Sequence, residues 1–214
     1  MPYLRRKEGG MSARTYSRRE LMKEHSGYKR LNFIANNGFT ASTFPYLNLG
    51  FKIAPSTKIV IDFYTISGSS NTQMFFGHYS SLFLRTQYSS TNFYTLNRTN
   101  SQTFGVGVNP RYKRALWTID KNISSVVVDG TTYTKEHNLE TNFLSTSNVA
   151  LFWASGYNQW YGTTWRVYSF QRYENDILVM DLIPAQDKLT GINGMYDRIS
   201  HTFYKSPRSN FMAG

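Results

Sequence analysis

The sequence predicts an all-β protein: a two-sheet antiparallel sandwich with meander or jelly-roll connections, preceded by a basic N-terminal arm with a short helix. Three observations lead there. From Tyr28 onward a dozen or more short strand-like runs follow one another at regular spacing, separated by Ser, Thr, Asn and Gly. The 214 residues include 16 Tyr and 15 Phe, side chains that suit a pleated, half-buried surface. Outside the arm there is almost no helical pattern, and no internal repeat. The expected division is an arm over residues 1–27 and a sandwich over residues 28–214.

The arm differs in composition from everything after it. Residues 1–30 hold nine Lys or Arg and three Glu, a net +6 of the chain's +11. Ser17-Arg18-Arg19-Glu20 fits a capping box, so a two-turn helix is predicted from Arg18 to about His25, with Gly27 as its stop. So short a helix is marginal alone in water, and the arm is expected to order only against something else.

The strands then come in order. Leu31 to Ala35 is a short strand, with a turn at Asn36-Asn37-Gly38. Tyr46 to Phe51 is extended, and Pro55-Ser56 breaks it. Lys58 to Ile66 alternates most clearly: Ile59, Ile61 and Phe63 share a core face, and Asp62 and Tyr64 the wet one. Ser67 to Asn71 is a polar loop. Gln73–Gly77, Ser81–Thr86, Asn92–Leu96 and Thr103–Val108 read as four further strands. Ala115–Asp120, Ser124–Asp129 and Thr131–Thr134 form a meander. Its second turn, Asp129-Gly130, suits type I′ because both residues tolerate positive φ. Lys135 to Thr146 is a loop, Val149 to Trp153 a buried strand, and Ala154 to Thr164 an aromatic, Gly-rich loop.

The closing segment is the centre of the pattern. Trp165–Tyr173 and Ile177–Ile183 are two strands joined at Glu174-Asn175-Asp176. The second is apolar on both parities except for Asp181, which predicts cover on both faces. Pro184 is expected to stop the pairing, since it has no N–H for a ladder. A polar passage from Asp187 to Gly194, then Met195-Tyr196-Asp197 and a last strand at Thr202–Tyr204, complete the chain.

Several chemistries find no residues to carry them. There is no cysteine, hence no disulfide, thiolate nucleophile or Cys-based zinc site. The four histidines (His25, His78, His137, His201) lack ligand spacing. Calcium at a rim would draw on Asp129 or Asp187, but no dense Asp/Asn loop accompanies them, so no metal and no cofactor is expected. No apolar run is long enough to span a membrane, and no apolar segment follows the basic start as in a secretory signal. A paired Glu-x-Asp-x-Glu pattern, as glycoside hydrolysis would need, is absent, so an enzyme is not expected. Glu174 and Asp176 read as a solvated turn, and Asp181 as a structural carboxylate held by backbone N–H or an arginine.

Five stretches, in this order, carry a resemblance: LNFIANNGFTASTFPYLNLGFKIAPSTKIVIDF, MFFGHYSSLFLRT, WTIDKNISSVVVDGTTYT, NVALFWASG and WRVYSFQRYENDILVMDLIPAQDKLTGINGMYDRISHTFYKS ending in FMAG. Together they resemble the concanavalin A-like, or laminin G-like, jelly-roll domains of bacteriophage structural proteins, especially those of gut phages. The likeness covers Tyr28 to Gly214 and leaves the arm outside. It implies a lectin-like fold and a non-enzymatic virion component (capsid decoration, head fibre or tail-associated), made in the host cytoplasm and located on the virion.

Two candidate contact regions follow. The arm residues Arg5, Arg6, Lys7, Arg14, Tyr16, Arg18, Arg19, Leu21 and Met22 would anchor the chain to other virion proteins, because their apolar members suit protein docking. Nucleic acid contact and a solvated tail are the other readings of the arm. Tyr157, Trp160 and Tyr161 are candidates for glycan stacking or contact with a neighbouring subunit, including a second copy in a homo-oligomer. Trp153 and Trp165 are expected in the core. The cluster Arg111-Tyr112-Lys113-Arg114 reads as a solvated loop. The alternative function is a carbohydrate-binding module for host surface glycans, weakened by Trp160→Ala.

Overall fold

The computed structural model describes residues 27–36, 44–68, 72–77, 83–87, 92–96, 101–105, 112–120, 123–136, 148–153 and 163–214. Among them every regular element is a strand. In chain order these are β1 (Tyr28–Arg30), β2 (Ile34–Ala35), β3 (Leu47–Asn48), β4 (Thr57–Gly68), β5 (Thr72–Gly77), β6 (Phe83–Gln87), β7 (Asn92–Leu96), β8 (Ser101–Gly105) and β9 (Arg114–Asp120). The remainder are β10 (Ile123–Val128), β11 (Thr131–Glu136), β12 (Ala150–Leu151), β13 (Thr163–Glu174), β14 (Ile177–Asp187), β15 (Asn193–Asp197), β16 (Phe203–Lys205) and β17 (Met212–Ala213). The predicted helix from Arg18 to His25 lies outside the described residues.

The strands form a two-sheet sandwich in which every pairing is antiparallel. The larger sheet runs β11-β10-β9-β4-β13-β14-β15-β16, with β1 on β14, β2 on β13 and β17 on β2. The smaller runs β3-β12-β5-β6-β7-β8. The core lies between them because the period of two turns Ile59, Ile61 and Phe63, then Ala115, Trp117 and Ile119, to one side. The smaller sheet answers with Leu47, Phe75, Phe76 and Leu151. Phe75 stacks on Trp165 at 4.3 Å and sits 4.9 Å from Phe63, while Phe76 lies 5.6 Å from Phe170. Such ring pairs add about 0.5–1.5 kcal/mol each beyond the area they bury.

The meander and the Asp129-Gly130 turn stand as expected, with φ of 51° and 77° at its two residues. The Asn175-Asp176 turn has the same handedness, with φ of 49° and 65°. Several expectations need correction. Pro184 does not stop the pairing: the β14–β15 ladder continues through it from Leu182 to Gln186. Proline gives up one N–H but keeps its carbonyl, which here accepts the Leu31 N–H at 3.0 Å where β1 ends. Nor is β14 covered along its whole length, since Ile177 is 67% exposed beside the turn. The first strand is split into β1 and β2, β4 runs on through Gly68, and β11 runs on through Glu136. β17, not foreseen, pairs with β2. Glu174 is not merely solvated: it accepts from Ser56 Oγ, Thr57 Oγ1 and Arg172 Nε at 3.1, 2.8 and 2.8 Å, fastening the start of β4 to the end of β13.

A second, smaller cluster joins Ile183, Ala185 and Tyr196 to Tyr28 and Phe203. Tyr28 lies 4.9 Å from Tyr196 and 5.0 Å from Phe203, so β1 contributes packing as well as ladder bonds.

Candidate functional site

The residues of β4, β9, β13 and β14 that do not face the core create a groove across four adjacent strands. Its volume is about 590 Å³. Parity assigns most of its lining: Val60 and Asp62 from β4, Arg114 and Leu116 from β9, Gln171 from β13, Asp181 and Ile183 from β14. Arg30 and Asn32 approach from the β1 side, and Arg198 from the turn after β15.

One irregularity adds to this surface. The β13–β4 register slips between Val167 and Ser169, so Tyr168 has no partner residue across the ladder. Val167 and Phe170 both stay buried, and the two residues between them, Tyr168 and Ser169, both line the groove. A strict alternation would have exposed only one of them; a bulge re-aims a side chain in this way, often beside a binding site.

The electrostatics are paired. Arg114 donates from Nε and Nη2 to the two oxygens of Asp62 at 2.8 and 2.6 Å. Those bonds raise the Arg114 guanidinium above its ordinary range. The same guanidinium stacks over the Tyr168 ring at 4.1 Å, and Phe33 meets that ring edge-on at 6.1 Å. Asp181 is buried; Arg198 Nη2 pairs with its Oδ2, and Gln171 Nε2 donates to its Oδ1 at 3.4 Å. Asp181 is therefore held by an arginine, as expected, while its own backbone N–H donates to Asp197 at 2.9 Å. The groove thus presents guanidinium, amide and hydroxyl groups around one tyrosine ring, with an apolar share limited to Val60, Leu116 and Ile183. That suits a polar, hydroxyl-rich ligand better than an apolar one.

Arg5, Arg6, Lys7, Arg14, Tyr16, Arg18, Arg19, Leu21 and Met22 fall outside the described residues, as do Tyr157, Trp160 and Tyr161. Trp165 is in the core as expected, whereas Trp153 is only partly buried and meets Tyr46 at 5.0 Å. Of the basic cluster, Arg111 lies outside the described residues, while Lys113 pairs with Asp129 and Arg114, the first residue of β9, with Asp62, so these two are not simply solvated. Of the two carboxylates considered for calcium, Asp129 is thus ion-paired and Asp187 accepts the Leu189 N–H at 2.9 Å. Among the described residues no three acidic or imidazole groups gather as a metal site would require. His201 instead faces Tyr196, with Nδ1 at 2.9 Å from the phenol oxygen.

No family model matches the sequence. No curated protein matches it in sequence either. Solved structures do share the fold. One is a "putative carbohydrate binding protein" from Bacteroides ovatus, with a TM-score of 0.56 and 9% identity over 87% of this chain and 60% of that one. Another is the full extracellular region of zebrafish Gpr126/Adgrg6, with a TM-score of 0.52 and 11% identity over 86% of this chain and 26% of that one. This chain therefore spans less than two thirds of either neighbour. At such identities the likeness establishes the sandwich fold and nothing finer.

Sequence reasoning missed the groove for an identifiable reason. The wet parity of β4 and the odd Asp181 were both visible. Their meeting on one face depends on register across β13, which no local pattern encodes.

Proposed function

We propose that this protein is a non-enzymatic glycan-binding module that uses the groove across β9, β4, β13 and β14. The observation that carries the reading is the β13 bulge, which sets Tyr168 beside Ser169 among the amides of Asn32 and Gln171 and the arginines. Sugars present hydroxyls that both donate and accept, and ring faces that stack on aromatics. The Bacteroides ovatus neighbour adds support for this kind of function through its description alone. The groove carboxylates do not suit glycoside hydrolysis, because each turns to an arginine rather than to a common point between them.

The test is affinity electrophoresis of the full chain through a panel of polysaccharides. Retardation by at least one, weakened in Tyr168→Ala and Gln171→Ala, is expected, with no reducing sugar released. Loss on Trp160→Ala with Tyr168→Ala unchanged would move the site to the aromatic loop. A panel without retardation would remove the reading.

A second reading concerns where the module is displayed. The net +6 of residues 1–30, mixed with Leu4, Tyr16, Leu21 and Met22, favours docking of the arm on an acidic partner surface. Combined with the phage-domain resemblance, it makes the chain a virion component tethered by its arm, its glycan site facing outward. The two solved structures named above, from Bacteroides ovatus and zebrafish, add nothing to it, so this reading rests on the sequence. Particles assembled with a chain lacking residues 1–26 should not carry it; normal incorporation would exclude the tether.

A further inference from the structure

We infer that Arg114 is a positioning residue of this groove: it covers one face of Tyr168 and fixes the ring, so that a sugar stacks on the other face alone. This rests on the glycan-binding reading above and assigns the device that sets its stacking platform.

Tyr168 needs such a device because the ladders do not supply one. The β13–β4 register slips between Val167 and Ser169 and leaves Tyr168 out. The pairings of β13 with β2 and with β14 stop on either side of it, at Val167 and at Phe170. A side chain at a regular strand position is aimed by the pleat, whereas one at a bulge is not. The half-buried Tyr168 ring therefore takes its plane from what packs against it.

Arg114 packs against it from two strands away. The sheet order is β9-β4-β13, so the Arg114 side chain crosses β4 to meet β13, a span of about 9–10 Å. Asp62 stands on the strand that is crossed. Its two oxygens accept from Arg114 Nε at 2.8 Å and from Nη2 at 2.6 Å. Such a fork fixes the plane of a guanidinium as well as its position. The guanidinium carbon then lies over the Tyr168 ring, 4.1 Å from its centroid, which leaves no room for a sugar on that face. Phe33 bounds the ring from another side, with 6.1 Å between centroids and 67° between planes. Asp62, Arg114 and Tyr168 thus form a relay that carries the orientation of a carboxylate on β4 to a ring on β13.

Arg114 also lines the groove, so the test separates action through the ring from direct contact with sugar. Its side chain is 59% exposed, and its replacement leaves the core untouched. Affinity electrophoresis of the full chain uses gels of xylan, galactomannan, mixed-linkage β-glucan and dextran, and the polymer that retards wild type most gives the dissociation constants. Arg114→Lys keeps the charge but not the fork or the flat face, and should weaken binding about fivefold, the scale of one exposed cation–π contact. Asp62→Asn should match it. In a Tyr168→Leu background Arg114→Lys should cost less than about twofold, because the ring it positions is gone. Equal losses from Arg114→Lys in both backgrounds would mean that Arg114 meets the sugar itself, which overturns the positioning role and leaves glycan binding intact. Full affinity in Arg114→Lys does the same. Where Tyr168→Leu abolishes retardation, Asp62→Asn decides: full affinity overturns the relay, and a loss like that of Arg114→Lys upholds it. Tyr168→Leu retarded as strongly as wild type takes the site away from the groove, and a chain retarded by none of the four polymers removes both this inference and the reading beneath it.

Discussion

Asp197 shows how one buried side chain holds a binding surface in place. Its Oδ1 accepts the backbone N–H of Asp181 at 2.9 Å and of Ile199 at 3.0 Å, and its Oδ2 accepts the Ser200 hydroxyl at 2.7 Å. The turn that carries Arg198 is thereby fastened to β14, and Arg198 reaches Asp181. Asp197→Ala would leave a buried N–H unpaired, at a cost of about 2 kcal/mol; urea denaturation should show it, and a loss confined to a few tenths would mean water replaces the carboxylate. Asp187 gives a pH signature. Hydrogen bonds from the Leu189 N–H and the Thr190 side chain hold its carboxylate below the ordinary 3.8. A depressed carboxylate stabilises the fold above its unfolded value and loses that contribution as pH falls through its folded value. Wild type should therefore melt above Asp187→Asn at pH 7, with the gap closing below about pH 3.8. A gap that persists unchanged near roughly pH 2 would show that the group does not act through its charge. Asp181 was legible in the sequence because a lone carboxylate in an apolar run must find a partner. The identity of that partner was not, because Arg198 arrives from the next hairpin rather than from a neighbouring position.

Elements differ in how much of their geometry is local. The alternation of β4 is visible in its own residues, and both tight turns follow from residues that tolerate positive φ. The β13 bulge, the passage of Pro184 through a ladder and the pairing of β17 with β2 are properties of pairs of strands, and no single segment announces them. Two glycines separate the local from the pairwise case. Gly130 has φ of +77° with open space where a Cβ would stand, so Gly130→Ala suffers only backbone strain, about 1 kcal/mol. Gly194 has no positive φ, but a Cβ there would lie 2.1 Å from the Tyr204 carbonyl oxygen and 2.9 Å from the Phe203 ring. Backbone cannot yield as a side-chain tip can, so Gly194→Ala should force β15 from β16 and cost roughly 2–3 kcal/mol. Thermal melts of the two variants should rank in that order; the reverse order would mean that the turn, rather than the β15–β16 contact, limits the fold.

At the scale of the molecule, aromatic abundance and strand spacing were enough to indicate two sheets facing each other, because Phe63, Phe75, Phe76, Trp165 and Phe170 can all be buried at once only between them. The sequence also placed a boundary at Tyr28, and the structure supplies a physical criterion for testing it. The carbonyl of Gly27 accepts the Lys188 N–H at 2.9 Å. Tyr28 covers Tyr196 and Phe203, and β1 pairs with β14 from Tyr28 to Arg30. Each of these bonds and contacts is made by Gly27 or by β1. Removal of residues 1–26 should leave all of them, and the melting temperature should stay within about 2 °C of the full chain. Removal of residues 1–30 strips β1 and uncovers Ile183, Ala185 and Tyr196, forfeiting about 2–3 kcal/mol of aromatic burial, or roughly 5–10 °C at this chain length. The groove supplies an independent readout, since only the longer deletion takes away Arg30. Should the shorter truncation already melt as low as the longer, the arm would belong to the sandwich itself, and a separate tether would have no physical basis.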